Sequence, residues 1–534
     1  MPTVRDATFD LLRRTGMTTV FGNPGSTELP MLAGFPSDFR YVLGLQEAVV
    51  VGMADGYAQA SGRPTLVSLH TAPGVGNAMG GIFNAQANHS PLVITAGQQS
   101  RSLMTLQANL TNRDAVRMPH PLVKFSYEPP RAEDVPLALA RAVHLATLPP
   151  LGPVFVSIPM DDWDRELEDP ATVALNTART VTGRAAAGPD AVTALARRLA
   201  EAGNPVLVAG PDVDTSGAWE AVVSLAERQR LPVWATPAPG GGRIGFPEDH
   251  AHFRGILPPA IGPLAETLKG HDLILALGTS VFPYYPNIPG PALPDGAELI
   301  AITSDPDEAA RAPMGDAIVA DVRLTVTALL EQVGEADGRP VPEPRPGPEP
   351  PDEQDPISPS AAVAALADVI PDDAIVVLES PSATLAVRNR IRLNRPGSYF
   401  FGAGGGLGFG LSAAVGVQLA HPDRPVVCVV GEGSAQYAIQ ALGTARAYDV
   451  PLTVLVLRNE EYAILKWFAT LESVEGVPGL DLPRLDTAAV AQGYGVDARV
   501  AGDPAELREA LQAAIGSAGP ALVETRVAPG MALG

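Results

Sequence analysis

The chain has 534 residues, is 46% hydrophobic and carries a formal charge of −22. That acidity, without any basic run, argues against a nucleic-acid or anionic-membrane role, and no apolar stretch approaches the ~18 residues of a membrane span. The single cysteine, Cys428, forms no internal disulfide and fits a reducing, cytoplasmic setting.

At ~150 residues per domain the length allows about three domains. The opening MPTVRDATFDLLRRTG reads as an amphipathic first helix and not as a signal peptide. In residues 1–180 a short strand, Thr18 to Phe21, breaks at Gly22-Asn23-Pro24-Gly25-Ser26. Tyr41 to Leu45 is the next strand, and Gln46-Glu47 opens a helix of small residues. Strand Thr65 to His70, the loop TAPGVGN, strand Leu92 to Ala96 and strand Pro153 to Ile158 follow. Strands alternating with helices predict a parallel, doubly wound sheet.

Residues 185–335 repeat the α/β pattern with loops poorer in glycine and polar residues. His250-Ala251-His252 suggests a metal pair, but no further ligands group with it, so it reads as a surface loop. Residues 336–356 are a Pro/Glu-rich linker, expected to be extended and semi-rigid. Residues 357–534 carry the glycine cluster GAGGGLGFG from Gly402, then strand Val426 to Val430 ending at Gly431-Glu432-Gly433-Ser434. Strand Leu452 to Leu457 ends at Arg458-Asn459. The predicted fold is α/β, three doubly wound parallel-sheet domains in a row.

Open α/β sheets bind ligands at the carboxyl edge of their strands, where glycine lets backbone approach a phosphate and helix starts offer free N–H groups. Glu432, the Asn459 side chain and a nearby carbonyl are hard oxygen ligands suited to Mg²⁺ shared with phosphate. Three other residues have two readings each. Glu47 is either a buried carboxylate with a specific partner or an exposed first-turn residue favouring the helix N-terminus. His70, at a strand end, is either structural or a proton-transfer group. Ser26 is by default a turn residue or helix cap before Glu28. The segments EAVVVGMADGYAQASGRPTLVSLH and LGFGLSAAVGVQLAHPDRPVVCVVG echo one another, which predicts two related units packed through Gly/Ala-rich helices.

GNPGS at 22–26, LQEAVVVGMADGYA at 45–58, SLHTAPGVGNA at 68–78 and GEGS…RN at 431–459 together resemble the thiamine-diphosphate-dependent 2-keto acid decarboxylases and carboligases, in particular the benzoylformate decarboxylase group. The resemblance runs over nearly the whole chain. It implies a pyrimidine-binding, a central and a diphosphate-binding domain, with the cofactor held between two subunits of a homodimer or homotetramer. Glu47 then bonds the pyrimidine nitrogen, the Gly405 carbonyl accepts from its exocyclic amine, and Leu407 supports a V-shaped conformation. Ser382, Gly433, Ser434 and Tyr462 grip the diphosphate; Glu432, Asn459 and Glu461 hold Mg²⁺, with Ca²⁺ as the alternative. Ser26 and His70 match the substrate-carboxylate contact and the proton-transfer residue.

Three positions depart from the pattern. Glu432 replaces the usual aspartate. Tyr285 stands where the benzoylformate decarboxylase group has a second catalytic histidine, and a phenol with reference pKa near ~10 is a poor proton shuttle. Ile464 replaces a smaller residue in a substrate pocket shared with Leu110, Phe401 and Phe468. The expected activity is non-oxidative decarboxylation of a 2-keto acid to an aldehyde and CO₂, with ligation of aldehydes as a side activity. Two alternatives fit the same residues: an acetolactate-synthase-like carboligase, and a non-catalytic paralogue that keeps only the fold.

Overall fold

The computed structural model describes residues 1–237, 242–352 and 354–532. It contains three six-stranded sheets, one after another along the chain, and every strand pairing within them is parallel.

The first sheet comprises β1 (Thr19–Gly22), β2 (Arg40–Leu43), β3 (Thr65–Leu69), β4 (Leu92–Gln98), β5 (Ser126–Tyr127) and β6 (Val154–Pro159), in the order β2-β1-β3-β4-β6-β5. The second comprises β7 (Pro205–Ala209), β8 (Val233–Ala235), β9 (Phe253–Ile256), β10 (Leu273–Leu277), β11 (Glu298–Thr303) and β12 (Asp316–Val319), in the order β12-β11-β10-β7-β8-β9. The third comprises β13 (Ile375–Glu379), β14 (Tyr399–Phe401), β15 (Val426–Gly431), β16 (Leu452–Arg458), β17 (Asp497–Ala501) and β18 (Ala521–Arg526), in the order β14-β13-β15-β16-β18-β17. Helices cover both faces of such sheets, so the central strands are continuous Val/Leu/Ile runs without alternation.

Two helices join the outer sheets. Helix α1 (Glu47–Ser61) starts where the Gln46 side chain accepts the Val49 N–H, and stops at Gly62 in the left-handed conformation. Helix α3 (Phe409–Ala420) lies against it; α2 (Thr71–Ala87) follows β3. A Cβ on Gly56 would meet the Ala413 carbonyl oxygen at 2.2 Å, and one on Gly416 would meet that of Met53 at 1.9 Å. Only glycine permits this approach. One apolar core therefore runs from Phe21 and Val49 through Val415 to Val377 and Val430, while the middle sheet has cores of its own. The packing of the two echoed units is as the sequence predicts.

The described residues of the Pro/Glu-rich segment form no helix or strand, but the segment is not a free spacer. Arginines hold its carbonyls on both sides: Arg254 that of Glu343, Arg392 that of Pro346 and Arg390 that of Glu349.

Candidate active site

The first group of polar residues gathers at the carboxyl edge of β1 and β3. Glu47, the first residue of α1, is 9% exposed. Its two oxygens accept from Asn23 Nδ2 at 3.2 Å and Asn77 Nδ2 at 3.0 Å. The two amides supply the partners that a buried carboxylate requires, which decides between the two readings of Glu47.

His70 precedes α2. Its Nδ1 lies 2.9 Å from Glu28 Oε2 and 3.0 Å from Thr27 Oγ1. Glu28, 3% exposed, also accepts the N–H groups of Gly25 and Gly97. A carboxylate against Nδ1 makes that nitrogen the donor and leaves Nε2 for proton exchange. Gly25 is required here, because its Cβ would lie 2.2 Å from His70 Nδ1. Ser26 is exposed on the same turn. It does not cap the next helix, whose N-cap is Glu28. Nothing in the sequence alone marks Glu28, Asn23 and Asn77 as functional; GNPGSTE looks like an ordinary polar turn until tertiary packing buries its last residue.

The second group gathers at the carboxyl edge of β13, β15 and β16. Glu432 begins a short helix, α4 (Glu432–Ala435), and is 2% exposed. Its Oε1 accepts the N–H groups of Asn459 at 3.1 Å and Glu460 at 2.6 Å across the gap between the two strand ends. Burial pushes its carboxyl above the ordinary range, against those backbone donors and Arg458. Asn459 Oδ1 accepts the Glu461 N–H. The Glu461 carboxylate is engaged by Lys466 and by the Gly530 N–H, so its backbone carbonyl is the oxygen it can offer a cation. A Cβ on Gly433 would lie 3.0 Å from Tyr462 Cε1, which puts the tyrosine ring over that backbone. Ser434 is buried beside it, and the Ser382 carbonyl accepts the Ala532 N–H. An all-oxygen donor set beside glycine backbone and a helix start fits a divalent cation bridged to a diphosphate.

The glycine turn lies next to this group. Gly405 and Gly408 have φ of +72° and +100°. Asn84 of α2 donates to the Gly406 carbonyl and accepts its N–H, and Asn88 accepts the Ala403 N–H. Leu407 is half-buried on the turn.

Tyr285 comes from a loop of the middle domain, is 61% exposed, and packs against Phe468 with ring centroids 4.8 Å apart and the rings tilted by 39°. Ile464 and Phe468 lie one turn apart on α5 (Ala463–Leu471), hence on one face. Leu110 lies in a loop of the first domain with φ +71°, and Phe401 ends β14. Among the described residues no hydrogen bond or ion pair joins the Glu47 group to the Glu432 group.

His250 and His252 are not a surface pair. His252 is buried, its ring 5.0 Å from that of His250, which contacts Glu227. Among the described residues, one trio of metal-ligating type occurs, His89, Asp305 and Glu308, in the cleft between the first and middle domains.

Comparison with known proteins gives these groups their context. Three family models match in succession: the N-terminal thiamine pyrophosphate binding domain over residues 2–118, the central domain over 192–329 and the C-terminal binding domain over 382–525. The chain belongs to the thiamine pyrophosphate enzymes. Among them it is a carboxy-lyase of the benzoylformate decarboxylase group. This thiamine pyrophosphate enzyme is 52% identical over 526 residues to a benzoylformate decarboxylase of Pseudomonas aeruginosa, covering 98% of each chain. The thiamine diphosphate-dependent 4-hydroxybenzoylformate decarboxylase of Rhodococcus jostii RHA1 superposes with a TM-score of 0.96 at 46% identity, covering 99% of each chain. The benzoylformate decarboxylase of Polynucleobacter necessarius gives 0.96 at 41% identity, again covering 99% of each chain. No helix among the described residues is long and apolar enough to cross a membrane.

Proposed function

We propose that this thiamine pyrophosphate enzyme decarboxylates an aromatic 2-keto acid of the benzoylformate type to an aldehyde and CO₂, and joins aldehydes to hydroxyketones as a side reaction. The observation that carries the reading is the His70–Glu28 pair beside the buried Glu47, on the same sheet edge, in a chain 52% identical to a benzoylformate decarboxylase.

Thiamine diphosphate, when bound, supplies a thiazolium ring that accepts the electron pair released as CO₂ departs. Glu47 holds the pyrimidine nitrogen, with the Gly405 carbonyl and the Leu407 side chain supporting the ring. Ser382, Gly433, Ser434 and Tyr462 hold the diphosphate. Glu432, the Asn459 side chain and the Glu461 carbonyl bind Mg²⁺, or Ca²⁺ in its place. Ser26 binds the substrate carboxylate through its hydroxyl. His70 exchanges protons with the reacting substrate through Nε2, because Glu28 occupies Nδ1. Tyr285 donates a hydrogen bond to the substrate through its phenol. Leu110, Phe401, Ile464 and Phe468 line the acyl pocket.

Among the described residues of one chain no hydrogen bond or ion pair joins the Glu47 group to the Glu432 group, in keeping with a site completed by a second copy. A homodimer is then the minimum assembly and a homotetramer the expected one. The buried single thiol of Cys428 suits a cytoplasmic enzyme.

A screen of 2-keto acids for CO₂ release, with added thiamine diphosphate and Mg²⁺, tests the reading directly. Benzoylformate should be turned over, and Glu47→Gln should lower kcat at least about a hundredfold. Absence of cofactor-dependent CO₂ release from every acid would leave only the non-catalytic paralogue. Acetolactate as the main product from pyruvate would favour the carboligase. The branched Ile464 narrows the pocket, so Ile464→Ala should raise kcat/KM for aryl over small aliphatic acids by about tenfold, read from paired steady-state kinetics. An unchanged ratio would remove Ile464 from the pocket.

A further inference from the structure

Glu379 ends β13, is 6% exposed, and belongs to none of the groups above. Its Oε1 accepts the N–H groups of Gly408 at 2.9 Å and Phe409 at 3.0 Å. These are donors at the start of α3, where Gly408 has no side chain with which to cap the helix. Its Oε2 is buried without a partner, and lies 3.3 Å from where a Gly410 Cβ would be. A Cβ at Gly410 would also come within 2.5 Å of the Glu379 Cβ, so the helix start is seated directly on this side chain.

The glycine turn is thereby pinned at two places. Asn84 and Asn88 hold Ala403 and Gly406 from the first domain, and Glu379 holds Gly408 and Phe409 from the third sheet. Leu407 is the residue between the pins. Gly405 and Gly408 adopt left-handed φ, and glycine is the least restrained of residues, so an unpinned turn would sample many conformations.

Resting on the thiamine diphosphate reading above, we propose that Glu379 is a positioning residue for the cofactor cradle: by capping α3 from the neighbouring strand it fixes the Gly405 carbonyl and the Leu407 side chain where the pyrimidine ring is received. It touches neither cofactor nor substrate and acts through the turn.

Three variants of the full-length protein separate this from a merely structural role. Glu379→Ala removes the cap, Glu379→Gln keeps a carbonyl oxygen for the two N–H groups, and Val377→Ala removes buried methyls from the same strand without touching the turn. Hydrogen exchange of the cofactor-free proteins reads the turn itself, and titration with thiamine diphosphate and Mg²⁺, followed by tryptophan fluorescence, reads affinity. Glu379→Ala should speed exchange over residues 405–409 and weaken binding, each by about tenfold or more, with Glu379→Gln within about threefold of wild type. Val377→Ala should lower Tm and leave both readings in place. If Glu379→Ala lowers Tm alone, with exchange and affinity unmoved, the proposal is overturned. A wild-type chain that binds no thiamine diphosphate, in which Glu379→Ala nonetheless loosens the turn, would instead refute the cofactor reading and the cradle with it.

Discussion

His70 is useful to a reaction only if one ring nitrogen is reserved, and Glu28 reserves it. Glu28→Gln should therefore lower kcat by about ten- to a hundredfold with little change in KM, since the histidine remains but loses its orientation; steady-state kinetics decide this. Glu432 presents a different question of reach. Its side chain spans the gap to the N–H groups of Asn459 and Glu460, which an aspartate would not bridge in the same way. Glu432→Asp should alter the ratio of Mg²⁺- to Ca²⁺-supported cofactor binding by about tenfold, a change of ~1.4 kcal/mol. Equal Mg²⁺-dependent binding by the two proteins in a fluorescence titration would remove the idea. At this scale the sequence was informative about residue types and mute about partners. Glu47 and His70 stand out by position, but Asn23, Asn77 and Glu28 become their partners only through folding.

At the scale of elements, the contact between α1 and α3 would bring a Cβ on Gly416 closer to a neighbour than one on any other described glycine. Helices pack this closely only where side chains are absent, and a methyl at Gly416 would collide with the Met53 carbonyl rather than with a movable side-chain tip. Gly416→Ala should destabilise the chain by about 1–3 kcal/mol, as overpacking of a tight core does, measured by urea unfolding. Glu47 heads α1 and the glycine turn leads into α3, so the same variant should also weaken cofactor binding. The internal echo of the two helices was legible because small-residue runs leave a plain trace in sequence. The cap supplied by Glu379 was not legible: it stands 29 positions before Gly408, and only the parallel order of β13 beside β15 brings it under the helix start.

Stability of the whole molecule should register the burial of Glu379. Desolvation raises its carboxyl to about 8 from an ordinary 4.5, against the backbone donors of Gly408 and Phe409. Its neighbour on β15, Cys428, is itself kept a thiol chiefly by burial, so it sets no opposing charge there. A folded pKa raised above the unfolded one gives stability that is present below about 4.5 and lost as pH rises towards 8. The cofactor-free protein should therefore lose thermal stability across that interval, and Glu379→Gln should flatten the loss. Parallel Tm-against-pH curves for the two proteins check it; coincident slopes would show that Glu379 titrates normally.

Taken alone, the sequence determined the alternation of strand and helix, the count of three sheets and the residue types at their carboxyl edges, because hydrophobic period and glycine placement are local properties. Tertiary structure decided which of those residues meet. Glu28 under His70, the two asparagines on Glu47, and Glu379 beneath the Leu407 turn all depend on crossover connections that bring distant strand ends together. Burial then converts polar residues that look ordinary in a linear reading into fixed parts of a site.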